Sequence, residues 1–228
     1  MLAVPVRHLQ FIRPAQQICR SSTNTSPAPA AELVYPESQS PHHNSLPSFL
    51  EYTSRTGLDP TSSTYIGTHY EYTVQTSLCR LGLSLQRIGG RSDHGIDLLG
   101  VWPLPSAPHP MKVLVQCKAF KEKLSPSLAR ELEGSFVGAP SGWRGNGVLG
   151  LLVSQKSATK GVREAMGRSR WPMGYVLVTR EGKVLQMLWN RRAEVEGLEG
   201  VGVGLKYGGG ESGEREVVLT WKGEALGA

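Results

Sequence analysis

The apolar residues of this chain change period several times along its middle. Tyr70, Val74, Leu78 and Leu81 recur at helical spacing, which predicts an amphipathic helix over about 66–81. Leu83 and Leu85 then alternate, as in a short strand, and Gly89 and Gly90 close it. Two apolar runs follow, "GIDLLGVW" and "MKVLVQCKAF", separated by a loop with Pro103, Pro105, Pro108 and Pro110. Ser125 and Pro126 supply a capping hydroxyl and a proline whose missing N–H costs nothing at a helix start. Leu128, Leu132 and Phe136 carry that helix forward on one face. After the glycine-rich "GAPSGWRGNG" come a strand "VLGLLVS", a helix over 157–169, and strands in "GYVLVTR" and "KVLQMLWN". "VGVGLKY" and "REVVLTWKG" flank "GGGESGE" and predict a hairpin with a long turn. This order of elements predicts an α/β fold: a central mixed β-sheet flanked by helices, with a C-terminal β-hairpin extension.

The two ends differ from the middle. Residues 1–31 are apolar and basic, then Ser/Thr-rich, with Arg7, Arg13 and Arg20 and no acid before Glu32. That is the composition of a mitochondrial transit peptide; a basic tail is the plainer alternative. A secretory signal needs a longer apolar core than one broken by Arg7, His8, Gln10 and Arg13. Residues 32–63, rich in Pro, Ser, Thr and His, predict a disordered linker with His42 and His43 exposed in it. An ordered domain over 64–193 and an extension over 194–228 complete the division.

Charge follows these segments. Of the net +6, the first 31 residues carry +3, residues 194–228 carry −4, and the middle therefore carries +7. A basic middle suits a polyanionic partner, and solubility accounts for it equally well. Cys19, Cys79 and Cys117 show no metal-type spacing, and their odd number speaks for a reducing compartment. No run approaches the roughly 20 apolar residues of a membrane-spanning helix, so membrane insertion is not expected. "GAPSGWRGNG" lacks the Gly-Lys-Ser/Thr ending of a phosphate-binding loop and reads as a connector.

The candidate chemistry lies in the two central runs. Side chains alternate along a strand, so Leu114, Gln116 and Lys118 share one face and Val113, Val115 and Cys117 the other. If the two runs pair, Asp97 can join Gln116 and Lys118 at the end of a sheet. Buried charges are costly unless paired, hydrated or bound to an ion.

This spacing, Asp, a long gap and Gln-x-Lys, resembles the PD-(D/E)XK nucleases, and more narrowly the Mrr-type branch with glutamine for the middle acid. "GTHYEYTVQTSLCRLG" resembles that branch's first helix, with Glu71 at the acid position. "GGRSDHGIDLLG", "VLVQCKAF" and "LLVSQKSATKGVREAM" resemble its later segments, so the likeness spans about 66–190. With the basic leader, the whole is similar to a fungal mitochondrial group named for being required for respiratory growth. The resemblance implies a restriction-endonuclease-like core and hydrolysis of DNA in the mitochondrial matrix. It implies that Asp97, Gln116 and Glu71 ligate Mg²⁺ or Mn²⁺, with a backbone carbonyl near Cys117 completing the shell. Lys118 would hold the attacking water and offset charge on the phosphate. Ser92, Asp93 and His94 would touch DNA or a second metal. Double-stranded DNA is the expected partner, and a homodimer would suit cutting of both strands. A non-catalytic module of the same fold that holds mitochondrial DNA is the alternative, and an RNA-processing or structural factor a third.

Plainer readings stand beside these. Thr68 and Glu71 have the spacing of a capping box, and Gln116 and Lys118 could lie at an exposed edge. Lys156, Lys160 and Arg163, with Arg168 and Arg170, either grip phosphates or form a solvated face. Trp102, Trp143 and Trp171 either stack on bases or pack in the interior, and Cys117 reads as core packing.

Overall fold

The computed structural model describes residues 33–37, 40–90, 95–119, 123–207 and 215–226. The leader over 1–31, the trio Ser92, Asp93 and His94, and the long hairpin turn lie outside the described residues. The described residues belong to one compact unit, 33–228.

Six strands form the central sheet: β1 (Ser84–Arg87), β2 (Leu98–Trp102), β3 (Met111–Lys118), β4 (Val148–Ser154), β5 (Met173–Val178) and β6 (Val184–Trp189), in that spatial order. The first three run as an antiparallel meander, β3, β4 and β5 are parallel, and β6 is antiparallel to β5. Each parallel pair needs a crossover, and helices supply both: α3 (Ser127–Gly138) before β4 and α4 (Lys160–Arg168) before β5. β4 and β5 are buried at every position, so their sequences are unbroken apolar runs instead of alternating ones.

The pleat divides the interior in two. Val113, Val115, Leu149, Leu151 and Val153 face the helix α2 (Ser63–Cys79), which contributes Tyr70, Val74 and Leu78. Leu99, Leu114, Leu152 and Tyr175 face α3 and α4, which contribute Leu132, Phe136, Val162 and Met166. Gly100 on β2 is required by close approach: a Cβ there would lie 2.7 Å from the Cα of Leu85 on β1.

Three local readings change. The stretch 46–56, which composition assigns to a disordered linker, is the helix α1 (Leu46–Thr56). Ser45 and Ser48 form a reciprocal cap, Gly57 ends the helix in the left-handed conformation, and Phe49 is buried against Tyr65 and Tyr72. His43 is half-buried there, its Nδ1 2.8 Å from the hydroxyl of Tyr72, and so is not a free loop histidine. α2 starts at its cap Ser62, earlier than periodicity suggests, so Thr68 and Glu71 are not a capping box; Thr68 is buried within the helix. Ser125 does serve the start of α3, its hydroxyl accepting the N–H of Ser127 at 3.3 Å, with Pro126 as the cap residue.

After β6, α5 (Arg191–Ala193) and one wide π-helical turn (Glu194–Leu198) lead into a separate antiparallel sheet of β7 (Val201–Tyr207), β8 (Arg215–Trp221) and β9 (Glu224–Leu226). The expected hairpin is β7–β8. The third strand returns through a two-residue turn at Lys222 and Gly223, both with positive φ. Val217 and Leu219 of β8 join the interior on the α2 side of the main sheet. Among the described residues no helix is long and apolar enough to cross a membrane.

Candidate functional site

Asp97 sits one residue before β2, where the β2–β3 register, continued by one step, sets it opposite Gln116. Its backbone is fully engaged: the N–H donates to Val115 O at 2.9 Å, and the carbonyl accepts from Ile88 and Gly89, each at 2.9 Å. Its carboxylate is engaged as well, Oδ2 accepting the N–H of Cys117 at 2.6 Å. The expected pairing of the two apolar runs thus brings Asp97 to the end of β3, fixed by main chain.

Gln116 and Lys118 share a face of β3, as alternation requires, and that face meets α3. Leu128 and Leu132 seat α3 on the sheet, and Glu131 between them reaches the strand end. Its Oε1 accepts from Gln116 Nε2 at 2.9 Å and from Lys118 Nζ at 2.6 Å. Gln116 is 1% exposed, so it lies on no exposed edge, and among the described residues its buried Oε1 meets no hydrogen-bond donor. Sequence reasoning missed Glu131, since a glutamate on a mixed helix surface looks like ordinary solvation.

Glu71 reaches the same strand end from α2, on the other side of the sheet. Arg87 Nε donates to its Oε2 at 2.5 Å, and the two side chains are only 10% and 14% exposed. The guanidinium also lies 5.5 Å from the centre of the Tyr72 ring. Arg87 was missed too; its signal was a cation on the alternation that places Leu85 inside. Glu71 Oε2 and Asp97 Oδ1 lie 3.2 and 3.3 Å from the point where a side chain on Gly89 would begin. Only a residue without Cβ leaves that space between the two carboxylates open.

Cys117 registers the convergence. Burial, first, holds its thiol well above the ordinary range; the carboxylates of Asp97 and Glu71 push the same way, and Arg87 and Lys118 oppose them. All four predicted residues therefore surround the end of β3, but on two sides. Gln116 and Lys118 join Glu131 toward α3, Glu71 joins Arg87 toward α2, and Asp97 stands between.

The oxygens offered here are two carboxylates and one carboxamide. Such hard donors suit Mg²⁺ or Mn²⁺, and Mg²⁺ needs only one or two carboxylates because it keeps several waters. The donorless Oε1 of Gln116 fits that set. Among the described residues no group of three or more His, Cys, Asp and Glu is placed to hold a metal by itself.

Of the basic residues, Lys156 follows β4 at the rim that holds Lys118, since Ser154 is the register partner of Lys118. Lys160 and Arg163 belong to the first turns of α4, which starts from that rim and whose Gly161 abuts Pro126. All three are exposed; Lys160 pairs weakly with Glu164 at 3.7 Å, and Arg163 donates to Ala158 O at 3.3 Å. Trp102 and Trp143 are buried and offer no face to a base, and Trp171 is half-buried with one face stacked on Phe136 at 4.8 Å.

Comparison with known proteins places the chain among its relatives. The family model "Required for respiratory growth protein 7" matches residues 62–110 and 105–204. An uncharacterised mitochondrial protein of Schizosaccharomyces pombe is 32% identical over 155 residues, covering 66% of this chain and 61% of the relative. The mitochondrial Required for respiratory growth protein 7 of Saccharomyces cerevisiae is 28% identical over 174 residues, 58% of this chain and 72% of the relative. Its counterpart in Zygosaccharomyces rouxii is 31% identical over 158 residues, 51% and 65% respectively. The chain thus spans under two thirds of the first of these relatives. No solved structure matches. Each relative is named mitochondrial, and this protein is mitochondrial with them. The chain belongs to the family of the mitochondrial protein Required for respiratory growth protein 7.

Proposed function

We propose that this protein is a metal-dependent DNA endonuclease of the PD-(D/E)XK superfamily, Mrr type, acting in the mitochondrial matrix in support of DNA maintenance and respiratory growth. The observation that carries this reading is the buried, donorless oxygen of Gln116, opposite Asp97 and two residues before Lys118. Such an atom costs about 1–3 kcal/mol unless an electropositive partner meets it. The order of elements supports the same reading: a helix with Glu71, an antiparallel meander with Asp97 and Gln-x-Lys, a helix, then a strand parallel to the third.

Asp97, Gln116 and Glu71 would hold Mg²⁺ or Mn²⁺. Bound there, the ion supplies positive charge for the phosphate and an acidified water. The protein's own groups do the positioning. The Cys117 N–H keeps the Asp97 carboxylate in place, and Arg87 orients Glu71. Glu131 holds the Lys118 amine until a phosphate oxygen competes for it. Lys118 then donates to the attacking water and to a non-bridging oxygen. The water oxygen bonds to phosphorus and gives a proton to solvent, the bond from phosphorus to the sugar oxygen breaks, and that oxygen takes up a proton from solvent. Lys156, Lys160 and Arg163 steer the DNA backbone to the rim through salt-sensitive contacts.

A non-catalytic DNA-holding module is the second reading. The ion pairs of Glu71 with Arg87 and of Lys118 with Glu131 favour it, since both occupy groups that catalysis must free. The test is the purified chain with supercoiled plasmid, in Mg²⁺, Mn²⁺ or EDTA, beside Lys118→Ala and Asp97→Ala. Nicking or linearisation that needs the ion and vanishes in both variants, with DNA binding retained, supports the nuclease. Salt-sensitive binding without ion-dependent cutting of any DNA form supports the module and removes the enzyme.

A further inference from the structure

The rim that holds Lys118 continues across the sheet. Ser154 of β4 lies opposite Lys118, and Leu177 of β5 lies opposite Ser154. With strands about 4.8 Å apart, the end of β5 is about 10 Å from the strand of Lys118. Gln155 follows β4, and Arg180 and Glu181 follow β5, beneath the first turns of α2. Together with Tyr65, Ile66 and His69 they line a pocket of about 280 Å³.

Its chemistry is that of a ring site. Tyr65 and His69 stack with centroids 5.8 Å apart and planes 19° from parallel. Arg180 and Glu181 bring opposite charges, which leaves the pocket without the net positive charge that a phosphate would need. What remains is an aromatic platform edged by a carboxamide, a carboxylate and a guanidinium. A planar heterocycle with donors and acceptors on its rim matches these groups, because it stacks by its face and hydrogen-bonds by its edge.

We propose that this pocket receives an unpaired nucleobase from a strand that crosses the sheet rim, passing from the α3 side, where Lys118 holds a phosphate, to the α2 side, where the pocket opens. The proposal rests on the nuclease reading and sharpens it: the substrate is DNA with an unpaired base beside the cut, from a single strand or a base turned out of a duplex. A base locked in a regular duplex cannot enter a pocket walled on both sides by α2 and the β5 loop.

The experiment measures binding by fluorescence anisotropy with the full chain in EDTA, so that no cleavage intervenes. The probes are a single-stranded 20-mer, its perfect duplex, and the same duplex with one central mismatch. His69→Ala and the exposed Arg180→Gln are compared with the parent chain, their folding checked by thermal melting. Expected is about tenfold weaker single-strand binding in each variant, with perfect-duplex binding unchanged. A loss shared by the mismatched duplex assigns base extrusion; a loss confined to the single strand assigns single-stranded DNA. Unchanged single-strand binding, or equal loss on the perfect duplex, overturns the pocket while ion-dependent plasmid cutting by the parent chain leaves the nuclease standing. Absence of binding to every probe, with no cutting, removes both.

Discussion

Truncating Glu131 to alanine tests the physical core of the site without any assumption about catalysis. One carboxylate oxygen accepts from Gln116 at 2.9 Å and from Lys118 at 2.6 Å. Glu131 is 47% exposed, so its ion pair with Lys118 is screened and contributes under about 1 kcal/mol. The larger loss is at Gln116. It is 1% exposed, and its oxygen already lacks a donor; without Glu131 its nitrogen lacks an acceptor too. Leaving that buried amide group unmet costs about 1–3 kcal/mol. Alanine's better helix propensity returns a few tenths. The net is about 2 kcal/mol, which for a chain of this size lowers Tm by about 4–8 °C. Glu131→Gln keeps an acceptor for Gln116 and should lose less than half of this. Thermal unfolding followed by circular dichroism, with urea unfolding as a second measure, reads both. If Glu131→Ala melts within 1 °C of the parent, Gln116 has found water or another partner, and the account of a constrained carboxamide is wrong.

Two further outcomes follow from the packing and from titration. Gly100→Ala places a methyl 2.7 Å from the Leu85 Cα, main chain that cannot swing aside, so β1 must separate from β2 at a cost of about 3 kcal/mol or more. Gly134→Ala on α3 meets nothing within 4 Å and should melt at or above the parent, so equal behaviour of the two variants would contradict this packing. His43 is held below its ordinary value of 6.5, first by burial and then by Arg87 and His42, so the fold prefers its neutral ring. The unfolded chain then binds the proton first as pH falls. Its contribution is full above about pH 6.5 and declines as pH drops from there toward the lower folded value. The fall in Tm from pH 7.5 to 5.5 should be shallower in His43→Gln; an unchanged slope would show that folding does not lower the ring's affinity for a proton.

How much of this was legible depended on whether a residue broke its local pattern. β3, β4 and β5 were readable because long apolar runs bounded by Gly and Pro admit few alternatives. Asp97, Gln116 and Lys118 stood out as polar groups inside such runs. Glu131 did not, because a charge beside apolar helix positions is what any surface helix shows. Arg87 ends a four-residue strand, where a cation on the inward alternation passes for a solvated strand end. α1 was hidden by composition, since its Ser and Pro are a helix cap only once Tyr65 and Tyr72 provide a surface for Phe49. β9 was hidden by Lys222, which takes the left-handed conformation usually marked by Asn or Gly. The second carboxylate partner of a site and the third strand of a small sheet are tertiary facts, set by what packs against them.

The loops 103–110 and 139–147 close the sheet at the rim opposite Lys118, where Lys112 reaches Gly142 O at 2.8 Å and Ser106 donates to Gly197 O at 2.7 Å. The eight residues of β3 separate the two rims by about 23 Å. A change of length in the exposed parts of these loops, away from the buried Leu104, Ala139 and Trp143, therefore leaves the rim of Lys118 in place. The molecule has one margin open to drift in length and another that must keep its register, and a single strand holds them apart.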